Sequence, residues 1–110
     1  LKLFSLAIAA SLLLVSAALA TDGQRSPIVI AFTSKTCAAC QHDKPTLDRL
    51  NERFTIQTID VDEQPELARR FHVRNLPTYV VLQDGVEVHR TGDVSTLSAI
   101  LIGLLFWMFC

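Results

Sequence analysis

The chain has 110 residues, half of them hydrophobic, with 10 basic and 11 acidic side chains and a formal net charge of −1. That length holds one domain at most, and the apolar content excludes a disordered or collagen-like chain. Balanced charge with no basic run argues against a nucleic-acid reader, and three Cys are too few for a scaffold stapled by several disulfides.

The charges are unevenly placed. Residues 1–20 carry one, Lys2, and residues 94–110 carry none, so residues 21–93 hold the other 20 of the 21. A soluble domain flanked by two apolar ends is expected. Residues 3–20 are apolar or small and end in Ala18-Leu19-Ala20, small at the two positions a signal peptidase reads. Thr21-Asp22-Gly23-Gln24 then turns polar. This is the layout of a secretory signal peptide over residues 1–20. The rival reading is an uncleaved N-terminal anchor, because such a run is just long enough to span a bilayer. Under either reading residues 21–110 form an exported domain, expected in a bacterial periplasm, where an oxidising milieu suits thiol chemistry.

Pro27-Ile28-Val29-Ile30-Ala31-Phe32 is a continuous, β-branched apolar run that suits a strand buried on both faces. Residues 33–36, Thr-Ser-Lys-Thr, are a polar loop with helix-capping chemistry. A helix is expected from Cys37 to about Phe54, with Leu47, Leu50 and Phe54 on one buried stripe and Pro45 inside it. Residues 55–61 read as a second strand. Asp62-Glu63-Gln64-Pro65-Glu66 reads as the start of a short helix ending near His72. Residues 78–83 read as a third strand, Asp84-Gly85 as a two-residue hairpin turn, and residues 86–90 as a fourth strand. Ser95-Thr96 cap an apolar C-terminal segment. The order β-α-β-α-β-β-α demands a central mixed four-stranded sheet with helices on its faces, an α/β fold.

Cys37-Ala38-Ala39-Cys40 stands at the strand-to-helix junction. At i and i+3 on one turn, the two sulfurs reach disulfide distance. Cys37 at the helix N-terminus meets unpaired N–H groups and the positive end of the dipole, which favour a thiolate, and Lys35 nearby adds to that. A thiolate is the nucleophile of thiol–disulfide exchange. Cys40, one turn in and more buried, is expected to be the resolving thiol.

Over about residues 27–93, and the final helix after them, the chain resembles the thioredoxin superfamily. The resemblance rests on the C-x-x-C motif in this context, on Pro45 five residues after Cys40, on Leu76-Pro77-Thr78, and on Asp84-Gly85 with Gly92 after them. It implies a thiol–disulfide oxidoreductase with Cys37 and Cys40 as catalytic, redox-active pair. It also implies a cis-proline loop in which Leu76, Pro77 and Thr78 shape the substrate groove. The implied partners are protein thiols and disulfides and a redox-partner dithiol, expected to be membrane-bound, acting on a monomer with no cofactor and no metal. The sequence departs from the family in four places. Thr33 and Thr36 stand for the flanking tryptophans, Ala38-Ala39 for the usual dipeptide, Ala31 for a buried Asp and Thr58 for its Lys partner. Seven residues between Ala20 and Ile28 leave no room for a preceding strand and helix, so the expected version is minimal, closer in layout to glutaredoxin-like modules.

Other readings of the same residues are weaker. His42, His72 and His89 lack the spacing of a four-ligand zinc site with the Cys pair. Gln41 after Cys40 excludes haem attachment. A redox-idle binding or chaperone module with this fold is the alternative function, possible as a membrane-tethered form. Residues 97–110 are apolar all round, which means deep burial or membrane contact. The expectation is a core-packing helix with a ragged tail over residues 106–110, in which Cys110 is a bystander.

Overall fold

The computed structural model describes residues 26–109. The apolar N-terminal segment, with its predicted signal peptide or anchor, and Cys110 lie outside the described residues. Strand β1 (Ile28–Thr33) is followed by α1 (Ala38–Leu50), β2 (Thr55–Asp60), α2 (Pro65–Arg70), β3 (Thr78–Gln83), β4 (Val86–Thr91) and α3 (Val94–Phe109). The sheet order is β2-β1-β3-β4. β1 runs parallel to β2 and antiparallel to β3, and β3 pairs antiparallel with β4, with a register shift between Val81 and Leu82. The mixed α/β fold expected from the element order is the one observed.

Alternation along the two central strands divides the core between two faces. Val29, Ala31, Tyr79 and Val81 face α1 and α3, where Leu47, Leu97 and Leu101 cover them. Ile30, Phe32 and Val80 face the other way, toward Phe71 and neighbouring residues of the α2 side, with the Phe32 and Phe71 ring centroids 5.4 Å apart. Leu97 and Leu101 are fully buried. Each contributes about 1.5–3 kcal/mol relative to exposure, enough to fix the first half of α3 on the sheet.

The turns follow local chemistry. Asp84 and Gly85 have φ of 55° and 78°, the paired left-handed residues of a two-residue hairpin whose twist matches the flanking strands. Pro65 takes the first turn of α2, where a missing N–H costs nothing. α2 ends with His72 at φ 53°, its N–H bonded to Arg69 O and that of Val73 to Ala68 O. These two bonds close a Schellman motif, here with His in the left-handed position that glycine usually takes.

Three boundaries differ from the sequence reading. α1 stops at Leu50, not near Phe54, because the bonding tightens: Glu52 and Arg53 donate to carbonyls three residues back, and Asn51 Oδ1 accepts Ile56 N at 3.1 Å. Phe54 still reaches the core, from the turn. The cap of α3 is Asp93 rather than Ser95 or Thr96; its Oδ2 accepts Thr96 N at 3.0 Å and Thr96 Oγ1 at 2.8 Å. The segment expected as a ragged tail continues α3 to Phe109, since nothing in its composition interrupts the helix. Among the described residues, no helix is long and apolar enough to cross a membrane.

Candidate active site

The carboxyl end of β1 delivers the chain into α1 through residues 34–37, and the geometry of that junction follows from one buried serine. Ser34 is 4% exposed, and its carbonyl accepts Cys37 N at 3.2 Å and Gln41 Nε2 at 3.4 Å. Its hydroxyl donates to Asp62 Oδ2 at 2.6 Å. With that proton committed, Ser34 Oγ accepts from the Thr36 hydroxyl at 3.0 Å and from Thr36 N at 3.3 Å. Asp62 arrives because β2 runs parallel to β1 and ends beside it, with Val61 N bonded to Thr33 O at 2.9 Å. Asp60 shapes that end, its Oδ1 accepting Asp62 N at 2.9 Å.

Cys37 is the N-cap of α1, in extended conformation, and its Sγ accepts the backbone N–H of Cys40 at 3.2 Å. A disulfide joins the two cysteines, whose Cα atoms are 5.2 Å apart. Cys37 is partly exposed, flanked by exposed Ala38 and Ala39, while Cys40 is buried at 3%. One sulfur is open to attack and the other is shielded. The exposed sulfur sits where orphan N–H donors and the helix dipole stabilise negative charge. Lys35, two residues before Cys37, pairs its ammonium with Glu63 at 3.6 Å, in solvent.

Antiparallel pairing of Phe32 with Thr78 sets the start of β3 beside the end of β1, which brings residues 76–78 to the cysteine end of the sheet. The Leu76–Pro77 bond is cis. Leu76 is half-buried, Pro77 is buried, and Thr78 is buried with its hydroxyl donated to Asn75 O. Gly92 lies against this loop: a Cβ there would stand 3.1 Å from Pro77 O. His42 is exposed beside Asp43, while His72 and His89 are on the surface, apart from the cysteines.

Ala31 is fully buried and pairs with Thr58 on one side and Tyr79 on the other. No ionisable group occupies its place, but one comes from α1. Asp43, three residues after Cys40, has a side chain only 13% exposed and accepts Tyr79 Oη at 2.8 Å. Burial, and next the Asp43 carboxylate it donates to, push the Tyr79 phenol well above its ordinary range. On the opposite flank of Cys40 a cleft of about 370 Å³ opens between α1 and β2, lined by Lys44, Asp48, Thr58, Asp60 and Glu63 among others.

Ser34, Asp62, Asp43 and Gly92 as a contact of Pro77 were not identified as site residues from the sequence. For Asp43 a signal existed: Cys40, Asp43 and Leu47 fall on one stripe of a helix, so a carboxylate is aimed at the core. For Ser34 and Asp62, 28 residues apart, only the strand pairing brings them together.

Comparison with known proteins places these features in a family. The thioredoxin family model matches residues 16–104. A thioredoxin of Mycobacterium tuberculosis is 32% identical over 98 residues, covering 84% of each chain. A thioredoxin-like protein of Synechocystis is 28% identical over 83 residues, covering 72% of this chain and 79% of its own. Among solved structures, a thioredoxin from Nicotiana alata superimposes with a TM-score of 0.69 at 26% identity, over 73% of this chain and 74% of its own.

Proposed function

The chain belongs to the thioredoxin family, and from that premise we propose that it exchanges disulfides with protein substrates in an exported compartment. It is a thiol–disulfide oxidoreductase. Thioredoxins act on protein thiols and disulfides, and the reading for this chain assigns Cys37 and Cys40 as the reacting pair. The observation that carries it is Cys37 Sγ at the N-cap of α1, accepting the Cys40 N–H, with the buried Cys40 sulfur bonded to it. The hydrogen bond that the disulfide sulfur accepts there favours a thiolate still more.

In the reducing direction the Cys37 thiolate attacks a substrate disulfide. A mixed disulfide forms and one substrate sulfur leaves as thiolate, to be protonated from solvent. Cys40 then loses its proton and attacks Cys37 Sγ, which closes the Cys37–Cys40 bond and releases the second substrate thiolate. The substrate gains two electrons and two protons. The oxidising direction is the reverse of each step. Residues 76–78 stand at the cysteine end of the sheet, and the reading gives them the substrate segment to hold. A dithiol in the membrane re-poises the pair in this scheme. Residues 1–20 act as the export signal or anchor.

A second reading, a redox-idle binding module, has one observation in its favour: the fully buried position 31 of β1 is an alanine and supplies no acid. The test is to reduce the protein and equilibrate it against glutathione and dithiothreitol buffers. A couple near the ~−270 mV of thioredoxin makes it a reductase, one near ~−120 mV a disulfide donor, and the lack of any reversible couple leaves the binding module. Cys37→Ser is expected to abolish exchange and Cys40→Ser to trap mixed disulfides. Release of the protein with the periplasmic fraction checks the compartment.

A further inference from the structure

Closing the Cys37–Cys40 bond requires Cys40 to lose a proton, and Cys40 is only 3% exposed. Burial disfavours a thiolate, so solvent alone serves this step poorly at neutral pH. Position 31 of β1, an alanine, supplies no acid or base. The acceptor has to come from a carboxylate elsewhere, and the carboxylates around Cys40 differ in what already holds them.

Asp48, Asp60 and Glu63 line the cleft between α1 and β2 together with Cys40, and Lys35 and Lys44 bring positive charge to it. Asp48 is exposed and eight residues further along α1, about 12 Å up its axis. Glu63 is exposed and pairs with Lys35 at 3.6 Å. Asp60 is half-buried, and its Oδ1 accepts Asp62 N at 2.9 Å. Asp43, on the other flank, stands three residues from Cys40, about 4.5 Å along the axis. Side chains at that spacing share a helix face, with Cβ atoms about 5–6 Å apart. The Asp43 side chain is 13% exposed. Tyr79 Oη, from β3, holds its Oδ2 at 2.8 Å, and Oδ1 lies 3.4 Å from Nδ1 of exposed His42. Asp93, just before α3, also acts on Tyr79 through its charge. The Asp43 carboxylate is thus fixed at its inner oxygen and open toward solvent at its outer one.

From this arrangement we infer that Asp43 is the proton acceptor for Cys40 in the step that closes the disulfide. As Cys40 Sγ attacks Cys37 Sγ, the Cys40 S–H bond breaks and its proton passes to Asp43, directly or through one water. The Cys37–Cys40 bond forms. The bond from Cys37 to the substrate sulfur breaks, and that sulfur leaves as thiolate with the electron pair. Asp43 hands the proton to solvent from its outer oxygen, and the leaving thiolate takes one from solvent. In the oxidising direction the same carboxyl returns the proton to Cys40. Tyr79 is a positioning residue. The role rests on the reading of Cys37 and Cys40 as the reacting pair.

The test isolates that step. Reduced full-length protein carrying Cys110→Ser, so that two thiols remain, is mixed with one equivalent of methyl methanethiosulfonate at pH 6 to 10 and acid-quenched at intervals. Mass spectrometry follows the methylthio group as it arrives on Cys37 and as it leaves as methanethiol when the disulfide closes. With Asp43 in place the closing rate is expected to change less than threefold between pH 6 and 8. Asp43→Asn keeps an acceptor for Tyr79 Oη. It is expected to close at least tenfold slower at pH 7, with the deficit vanishing toward pH 10, where hydroxide removes the proton. The arrival of the methylthio group on Cys37 is expected to change little. A closing rate that Asp43→Asn leaves unslowed, or slows equally at every pH, overturns the role. So does a closing rate that rises tenfold per pH unit from 6 to 8 with Asp43 present, a result that needs no variant at this position. Slowing by Asp60→Asn and not by Asp43→Asn puts the acceptor in the cleft and overturns it too. A protein with Asp43 that keeps the methylthio group at every pH overturns the pair chemistry itself, and this role with it.

Discussion

Tyr79 Oη donates to Asp43 Oδ2 at 2.8 Å, joining β3 to α1 across 36 positions of sequence beneath the cysteine turn. The phenol is fully buried and the carboxylate nearly so. Tyr79→Phe keeps the ring and removes the donor, leaving the carboxylate dependent on the longer His42 contact. Denaturant unfolding is expected to show a loss of about 1–3 kcal/mol, the cost of a buried group left short of a partner. The pH dependence has a definite sign. The folded phenol keeps its proton above the ordinary value near 10, so its contribution is complete below that pH and is lost as pH rises beyond it. The native protein is therefore expected to lose stability above pH ~10 more steeply than Tyr79→Phe.

Ser34 holds the loop that aims Cys37, through Asp62. Ser34→Ala removes both the donor to that carboxylate and the acceptor for Thr36 N. A loss of about 1–2 kcal/mol is expected, since Asp62 is exposed and water replaces its partner. The larger effect is expected on chemistry: a several-fold slower alkylation of reduced Cys37, followed by stopped-flow with iodoacetamide at pH 6 to 8. A rate equal to that of the native protein would remove Ser34 from the positioning of the sulfur.

Gly92 touches the proline loop. A Cβ 3.1 Å from Pro77 O cannot be added without movement, and the atom it meets is backbone, which yields poorly. Gly92→Val is expected to destabilise by about 1–3 kcal/mol as an overpacked site does. Exchange with a protein disulfide is expected to fall while alkylation of Cys37 by a small reagent is unchanged, because the loop and not the thiol is displaced.

Asp93 caps α3, and Thr96, by its hydroxyl and then its N–H, holds the Asp93 carboxyl below the usual carboxylate range. A lowered folded value means the cap's charge contributes fully above the ordinary Asp value near 4 and is lost as pH falls through the depressed value. Asp93→Ala is expected to lower Tm at pH 7 and to differ far less from the native protein at pH 2, by circular dichroism.

The strands β1, β3 and β4 and the hairpin turn could be read in sequence because each is written locally, in β-branched runs and in the Asp84-Gly85 pair. The cysteine turn could be read for the same reason, as a motif at a junction of two patterns. The end of α1 could not, since the 51–54 turns keep the apolar spacing of a helix while changing the bonds. The supports of the site were hidden for a different reason. Ser34 and Asp62 are joined by strand register, Asp43 and Tyr79 by the packing of α1 on β3, and both are properties of the folded sheet.

The 5.2 Å between the cysteine Cα atoms lies within the first turn of α1. The ring closed by the disulfide is therefore as small as a helical turn and restrains the unfolded chain little. A thermodynamic cycle connects the oxidised and reduced forms, folded and unfolded. The difference in unfolding free energy between the two forms equals the difference in electron affinity between the folded and unfolded dithiol, converted by nFΔE at about 1.4 kcal/mol per 30 mV. Every substitution that stabilises one oxidation state more than the other moves the potential by that same amount. Calorimetry on the two forms is, for this turn, a voltmeter.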